Sequence, residues 1–549
     1  MSQVLPGIGV GMGSASGPVA RMAPPPQLPA PRPVTDPEAD TAALRRALAA
    51  LVADLENRAT RAPEGPAADV LFAQAQMASD PTLAEQAGEA VHRGADPVHA
   101  LSATFDGFRA RLLAAGGYFA ERATDLDDLR DRAVCHLLQL PMPGLPDPGH
   151  PHVVVADDLA PADTAFLDPA RVLALVTVRG GPTSHTAILA KALGLPAVVG
   201  CPSAADLKDG QKVLVHDGTV EVDPSPEAVF EAARREERRR GRAAAAHGPG
   251  RTADGHPVAL LVNLGAAHEL PRAAAADAEG VGLFRTEFLY LDRTEPPTRD
   301  EQTVAYRGVF NAFSGRRVVV RTLDAGADKP LPFVTAPDEE NPALGVRGLR
   351  TAVRDPGLLD TQLAAVAEAA RGSKADVWVM APMVSLPDEA AEFAARVRSY
   401  GLPVAGAMVE VPAAALRADQ LAQVCDFFSI GTNDLAQYTF AADRTLGALA
   451  ELLDPWQPAL LDLVATTARA ASAFDRPVGV CGEAASDPGL ALVLAGLGVG
   501  SLSMAPACLP EVRATLAAHS YAQCQDMANA ARRAPDAATA RAEVRRRMI

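Results

Sequence analysis

The spacing of apolar residues changes in blocks along the chain. Val4 to Val19 alternates in short runs broken by glycines, the pattern of short strands, and Pro24-Pro25-Pro26 to Pro33 leads out of them as a stiff connector. From about Asp36 to Leu140 the period lengthens: Ala43, Leu44, Leu48, Leu51, Val52 and Leu55 recur at three and four, as do Leu126, Leu129, Ala133, His136 and Leu137. That spacing gives a helix one apolar face. Breaks at Pro63 to Pro66, Pro81 and Ala95-Asp96-Pro97 divide the region into four or five helices. Strand-like runs return at Val153-Val154-Val155, Val172 to Val178, Ala197-Val198-Val199, Val213-Leu214-Val215 and Val220 to Val222. The order predicts a small α/β domain with a helical bundle inserted into it.

Glu227 to Ala246 mixes Glu231, Glu236 and Glu237 with Arg234, Arg235, Arg238, Arg239, Arg240 and Arg242 on strong helix formers with little apolar face, as expected of a solvated linker helix. After Gly248-Pro249-Gly250 the pattern becomes strand then helix, repeated. Candidate strands are Val258 to Asn263, Gly280 to Phe284, Val318 to Thr322, Val377 to Pro382, Gly406 to Glu410, Phe427 to Ile430, Val478 to Cys481 and Ser501 to Met504. Their number and spacing fit a (β/α)8 TIM-type barrel. Ala531 to Ile549 reads as an Ala/Arg-rich helix.

At roughly 150 residues per domain, 549 residues predict several folding units. With 48% apolar and 21% charged residues, wholesale disorder and coiled coil are both poor readings, and aromatics at 4% leave the packing to Leu, Val and Ala. A formal charge of −16 offers no field for nucleic acid and opposes an anionic membrane surface, while it suits a basic protein partner. Cys135, Cys201, Cys425, Cys481, Cys508 and Cys524 are widely spaced with no C-x-x-C pair, so a reducing cytoplasm is expected rather than a disulfide framework. The opening residues lack the basic start of a secretory signal. Pro488 to Pro510 carries no charge, but its glycines, serines and Pro506 mark a buried α/β segment rather than a membrane span.

Two constellations carry chemistry. In Gly180-Gly181-Pro182-Thr183-Ser184-His185-Thr186 a glycine pair allows a sharp turn, Thr183 or Ser184 can cap, and Thr186 to Leu193 continues as a helix. His185 therefore falls in a first turn, where free N–H groups and the positive helix end would stabilise a phosphoryl group attached to it. The second constellation lies at the strand ends where barrels build their sites. Arg285 follows the second strand, Arg321 ends the third, and Arg347 lies in Asn-Pro-Ala-Leu-Gly-Val-Arg. Arginines converging on one mouth suit an anion bearing carboxylate and phosphate, since guanidinium binds each bidentately. Glu410 closes the fifth strand and Asp434 follows the sixth, two carboxylates placed for a Mg2+. Cys481 ends the seventh, where a thiol could give a proton to an enolate left when phosphate departs.

Together these motifs resemble Enzyme I of the bacterial sugar phosphotransferase system, a PEP-utilising enzyme family, over nearly the whole chain: Pro6-Gly7-Ile8, the helical insert, the histidine loop, Gly-Leu-Phe-Arg-Thr-Glu-Phe, Met-Val-Glu-Val-Pro-Ala-Ala-Ala, Phe-Phe-Ser-Ile-Gly-Thr-Asn-Asp-Leu and Gly-Val-Cys-Gly-Glu. The resemblance implies that His185 accepts phosphate from phosphoenolpyruvate and passes it to a histidine of the small phosphocarrier HPr. It implies that Arg285, Arg321, Arg347 and Arg444, with Lys329 nearby and Asn433 and Asp434, bind substrate. Glu410 and Asp434 would hold Mg2+, Cys481 would protonate the pyruvate enolate, and Thr164 would hydrogen-bond the histidine. By the same resemblance, residues 1–34 and 141–225 form a swivelling phosphohistidine domain, 35–140 an inserted helical HPr-binding subdomain, 226–250 a linker, and 251–549 the barrel that binds phosphoenolpyruvate and forms a homodimer.

The chain departs from the family at Pro182, where many members have arginine, and around Phe72 to Met77, a looser match. No GAF-like sensory region precedes the phosphotransferase, which disfavours the nitrogen-regulatory branch. A dikinase-like enzyme would need a nucleotide-binding domain for which the chain has no room. A non-catalytic regulator would not be expected to keep His185, Arg285, Arg321, Glu410, Asp434 and Cys481 together. A carbon–carbon lyase barrel leaves the histidine domain unexplained.

Overall fold

The computed structural model describes residues 3–11, 13–23, 26–61, 66–115, 123–140, 142–146, 148–159, 167–168, 170–181, 184–291, 293–326, 331–335, 339, 341–444 and 446–548. Thr164, Lys329, Pro182 and Thr183 lie outside them. The chain divides into two compact units, one of Met1–Val10, Ser14–Gly180 and Leu195–Val229, the other of Gly11–Gly13, Gly181–Gly194 and Phe230–Ile549.

In the first unit, strands β1 (Gln3–Pro6), β2 (Ile8–Val10), β3 (Ala15–Arg21), β4 (His152–Ala156), β5 (Val172–Thr177), β6 (Ala197–Val199), β7 (Lys212–His216) and β8 (Thr219–Val222) form one mixed sheet in the order β1-β8-β7-β3-β4-β5-β6-β2. β3 to β6 run parallel, and β4 is buried at every position, as its unbroken valine run requires. Between β3 and β4 come helices α1 (Pro37–Arg61), α2 (Pro66–Ala78), α3 (Pro81–His92), α4 (Pro97–Ala115) and α5 (Ala123–Leu138). Leu44, Leu48, Leu51 and Leu55 of α1 are buried against Val91, Leu101, Phe105, Leu126 and Leu129, the apolar stripe visible in the sequence. The Asp96-Pro97 break is a helix start: Asp96 Oδ1 accepts from the N–H groups of Val98 at 3.0 Å and His99 at 3.2 Å.

The second unit takes in helix α6 (His185–Leu193), helix α7 (Pro226–Ala245) beyond Phe230, and a closed barrel. Its strands are β9 (Ala259–Leu264), β10 (Gly280–Phe284), β11 (Arg317–Arg321), β12 (Asp376–Ala381), β13 (Val404–Val409), β14 (Phe428–Ile430), β15 (Val478–Val480) and β16 (Ser501–Met504). All neighbours are parallel, and β16 pairs with β9 to close the ring. Val262, Val281, Val320, Val379, Val409 and Ile430 pack outward against the surrounding helices, while Leu283, Val319, Met380, Met408 and Phe427 fill the interior.

The fold is the expected α/β multidomain with a TIM-type barrel, with local corrections. The fifth and seventh strands end at Val409 and Val480, so Glu410 and Cys481 are the first residues beyond them. The tail forms two helices, Tyr521–Arg533 and Ala537–Arg547, because Asp536 restarts the chain as a cap accepting from Thr539 N–H at 2.7 Å. The uncharged stretch after Asp487 is the core helix Pro488–Gly496, with Leu490 to Ala495 fully buried. Among the described residues no helix is long and apolar enough to cross a membrane. All six cysteines are buried free thiols.

Candidate active site

His185 is the first residue of α6, and Ser184 just before it caps the helix, its Oγ accepting from Ala187 N–H at 3.3 Å. Gly180, at φ +99°, makes the turn that leads in, a conformation other L residues rarely adopt. Backbone geometry thus places His185 among the free N–H groups of a first turn.

The barrel mouth is organised by an alternating chain of charges. Arg321 Nη2 donates to Glu287 Oε1 at 2.9 Å, and its Nη1 lies 3.1 Å from Asp324 Oδ2. Asp324 in turn receives both arms of Arg347, Nε on Oδ1 and Nη2 on Oδ2, each at 3.0 Å. Arg347 Nη1 reaches on to Asp434 Oδ1 at 2.9 Å and to the Tyr438 hydroxyl at 3.1 Å, and Arg444 Nη1 approaches the other oxygen of Asp434 at 3.4 Å. Glu287, Arg321, Asp324, Arg347 and Asp434 are all buried. Burial alone would lower the affinity of Arg321 for its proton, yet Glu287 and Asp324 outweigh it and hold the guanidinium firmly charged. Burial would likewise raise Asp324, but Arg321 and Arg347 keep its carboxyl below the ordinary range. Such desolvated pairs add little net stability against an apolar filling, so their presence points to a task other than holding the barrel together.

Glu410 sits beside this chain. Met383 N–H donates to its Oε1 at 2.7 Å, and Met383 holds a left-handed backbone, φ +59°, to aim that group. Burial, and then the nearby Asp434 and Asp324, push the Glu410 carboxyl up to about 8. Gly431 makes the space: a Cβ there would lie 2.9 Å from Glu410 Oε2 and 3.2 Å from Met408 Sδ. Around the same mouth Glu287 Oε2, Arg321 Nε and Thr432 Oγ1 are buried without a hydrogen-bond partner among the described residues. Unpaired buried polar atoms are costly, and a ligand in the mouth would relieve them.

Cys481 is buried, its thiol held up by that burial and opposed by a hydrogen bond with Ser429. Sγ donates to Ile430 O at 3.6 Å, so the group is a neutral S–H. Asn433 Oδ1 accepts from Glu483 N–H at 3.2 Å, tying the sixth and seventh strand ends together.

The structure therefore joins Arg321, Arg347, Arg444 and Asp434 directly and puts Glu410 close enough to feel Asp434. Arg285 differs from the expected convergence: it is exposed at the end of β10, outside the paired chain, though near enough to act electrostatically on the Cys481 thiol. Sequence reasoning missed Glu287, Asp324 and Tyr438. A signal for the acids existed, a carboxylate two or three residues after a strand-end arginine, in Arg285-Thr286-Glu287 and Arg321-Thr322-Leu323-Asp324.

Family models match the chain in three parts: the PEP-binding domain of PEP-utilising enzymes over residues 239–521, their mobile domain over 148–220 and their N-terminal domain over 6–122. The phosphoenolpyruvate-protein phosphotransferase of Streptomyces coelicolor is 52% identical over 551 residues, covering 98% of each chain. That of Haloferax volcanii is 44% identical over 86% of each, and that of Geobacillus stearothermophilus 39% identical over 88% of each. An arginine-lined barrel mouth, a histidine at a helix start and these likenesses along the full length agree: the chain is an enzyme and belongs to the phosphoenolpyruvate-protein phosphotransferases, the Enzyme I family.

Proposed function

We propose that this enzyme phosphorylates itself on His185 from phosphoenolpyruvate, releases pyruvate and passes the phosphoryl group to a histidine of HPr. The observation that carries the reading is the alternating Glu287–Arg321–Asp324–Arg347–Asp434–Arg444 chain beside Glu410 and Cys481. Phosphoryl transfer asks for positioning and charge neutralisation more than covalent help. Arg321 and Arg347, already desolvated and oriented by Asp324, can exchange carboxylate partners for the substrate's phosphate and carboxylate with little reorganisation. Arg285 and Arg444 supply charge from the rim, Asn433 orients the substrate, and Lys329 and Thr164 are assigned by family likeness alone.

Two carboxylates fit a Mg2+, which takes one or two from the protein and its remaining oxygens from substrate and water. Among the described residues no group of three His, Cys, Asp or Glu side chains could hold a metal unaided. Glu410 and Asp434 fit because burial, and then the charge of Asp434, raise the Glu410 carboxyl, and a cation would relieve both. Bound there, Mg2+ supplies charge neutralisation to the phosphoryl and enolate oxygens. Glu410 would hold such an ion as a carboxylate, beside Asp434. Cys481 breaks its S–H bond as a C–H bond forms on the departing enolate, giving pyruvate and a thiolate.

We assign residues 1–34 and 141–225 to a swivelling phosphohistidine domain, 35–140 to HPr docking, 226–250 to the linker and 251–549 to the barrel. Homodimerisation is proposed through the barrel, where Val304, Val353 and Leu416 are exposed. The test is to incubate the protein and His185→Ala with radiolabelled phosphoenolpyruvate and Mg2+, then add HPr. Acid-labile label on the wild type alone, passing to HPr, is expected; equal labelling of His185→Ala, or label that never leaves, would overturn the reading.

A further inference from the structure

Outside the charged chain of the mouth, a second set of buried polar side chains ties the surrounding helices to the strand ends. Gln362 lies on the core-facing stripe of helix Pro356–Ala370, among Leu359, Leu363 and Val366, and is 1% exposed. Its Oε1 accepts from Leu323 N–H at 2.9 Å, and its Nε2 donates to the hydroxyls of Thr286 and Tyr306, each at 3.0 Å. A backbone N–H can only donate, so the amide oxygen must face Leu323 and the amide nitrogen the two hydroxyls. Thr286 Oγ1 donates onward to Arg321 O at 3.0 Å. The Tyr306 hydroxyl donates to Gln302 Oε1 at 3.0 Å, where the Tyr290 hydroxyl also donates at 3.0 Å, and Gln302 Nε2 ends on Pro297 O at 3.0 Å. All five side chains are buried. An apolar residue could fill the place of Gln362 at little net loss of stability, whereas a satisfied polar network fixes one arrangement of the groups it joins.

Those groups are the two loops that carry the charged chain. Leu323 stands between Arg321 and Asp324, and Thr286 between Arg285 and Glu287. Gln362 therefore grips both strand ends from the helix side. On the mouth side Glu287 Oε1 joins the same loops, accepting from Arg321 Nη2 at 2.9 Å and from Asp324 N–H at 3.1 Å. The two clamps respond differently to an arriving anion. The mouth-side clamp depends on the guanidinium that the anion takes, so it loosens on binding. The helix-side clamp contains no charged group and survives the exchange.

We propose that Gln362 is a positioning residue for phosphoenolpyruvate. Through Thr286 and Leu323 it fixes the ends of β10 and β11, so that Arg321 and Asp324 keep their places while the substrate displaces a carboxylate from Arg321. This role rests on the reading of Arg321 as a ligand of that substrate. Because Gln362 acts through Arg321, its loss weakens the hold on substrate and transition state alike, an effect that falls on KM rather than on kcat.

The test is steady-state pyruvate release by the full chain with phosphoenolpyruvate, Mg2+ and excess HPr. Gln362→Met keeps the volume and removes all three hydrogen bonds; KM for phosphoenolpyruvate should rise about tenfold with kcat within about twofold of wild type. Loss of folded protein alone would do the reverse, lowering kcat at an unchanged KM. Thr286→Val cuts only the link to Arg321 and carries the test if Gln362→Met fails to fold: its KM should rise about threefold or more, and Thr286→Ser, which keeps the hydroxyl, should return it to the wild-type value. A wild-type KM in Gln362→Met, or in Thr286→Val where that variant carries the test, overturns the assignment whatever happens to kcat, as does a Thr286→Ser no better than Thr286→Val. Failure of the wild type itself to release pyruvate from phosphoenolpyruvate would sink the phosphotransfer reading, a result that no Gln362 variant is needed to see.

Discussion

Arg347 and Asp324 form a bidentate pair in the barrel mouth, 3.0 Å on each arm, with both side chains almost wholly removed from solvent. They come from different segments, and neither can leave without exposing the other to an uncompensated burial. Asp324→Ala is expected to destabilise the barrel by about 3–5 kcal/mol, because Arg321 and Arg347 lose a shared partner. The double replacement Asp324→Leu with Arg347→Met should recover most of that loss in urea denaturation yet bind no phosphoenolpyruvate. A double variant as unstable as the single one would show that the pair serves the fold rather than the site.

Arg347→Lys gives a separate expectation. Lysine keeps the charge but cannot span both oxygens of Asp324 while reaching Asp434 and Tyr438. KM for phosphoenolpyruvate should rise on the order of tenfold or more, the loss of one charge-assisted bond or so. A KM within twofold of wild type would remove Arg347 from the substrate's shell.

Much of this site was legible beforehand, and the gaps have a common cause. Arg321, Glu410 and Cys481 were visible because each falls at a strand end, which apolar runs locate to within a residue or two, and Asp434 because it lies in the first turn of the helix that follows the sixth strand. The pairing was not visible. Asp324 meets Arg347 and Arg347 meets Asp434 only because barrel closure brings the ends of β11 and β14 and the loop after β11 to one rim. Met383 at φ +59° has no sequence signature at all, since the strain is imposed by its surroundings and by the carboxylate it serves.

Glu410 links stability to pH. Its folded carboxyl sits at about 8 against an ordinary value of 4.5, so between these the folded protein binds a proton that the unfolded chain has released. Stability in metal-free buffer should therefore fall as pH rises from about 5 to about 8, by a few kcal/mol at most. Glu410→Gln should flatten that slope and melt higher than wild type at pH 8.5 in EDTA. Added Mg2+ should raise the wild-type Tm more at pH 8 than at pH 6, since binding displaces the proton. A wild-type Tm in EDTA that climbs over this range would contradict the crowding of Glu410 by Asp434 and Asp324.

Ser184 separates capping from chemistry at the histidine. Its Oγ accepts from Ala187 N–H one residue before His185, so Ser184→Ala should cost about 1 kcal/mol. Ser184→Asp caps as well and should keep the wild-type Tm, but it places a carboxylate next to the group that is to carry a phosphoryl. Its labelling rate from phosphoenolpyruvate should fall while Ser184→Ala stays near wild type. Equal labelling of the two would mean that the His185 imidazole turns away from the helix start.

Arg239 ties helix α7 to the barrel. α7 buries no residue, yet Arg239 Nη1 donates to Glu511 at 2.6 Å and its other arms close on Glu236 at 2.7 and 2.8 Å. Glu236 also receives Arg240 at 2.6 Å, so this half-buried cluster fastens the second half of the helix to the barrel's own helix Leu509–Ala517. Because one partner of a paired carboxylate is lost, Arg239→Ala should leave Glu511 and Glu236 repelling each other and loosen that half of the helix locally, at a cost of about 1–2 kcal/mol to its docking. Limited proteolysis is the measure: trypsin should cut among Arg234, Arg235, Arg238 and Arg240 several-fold faster in Arg239→Ala, with barrel melting little changed. If hinge freedom limits the proposed swivel, transfer to HPr should speed up or hold steady in this variant; if the fastening instead positions His185, transfer should slow while pyruvate binding stays intact. Unchanged cleavage would show that the helix is held by its neighbours along its length rather than at Arg239.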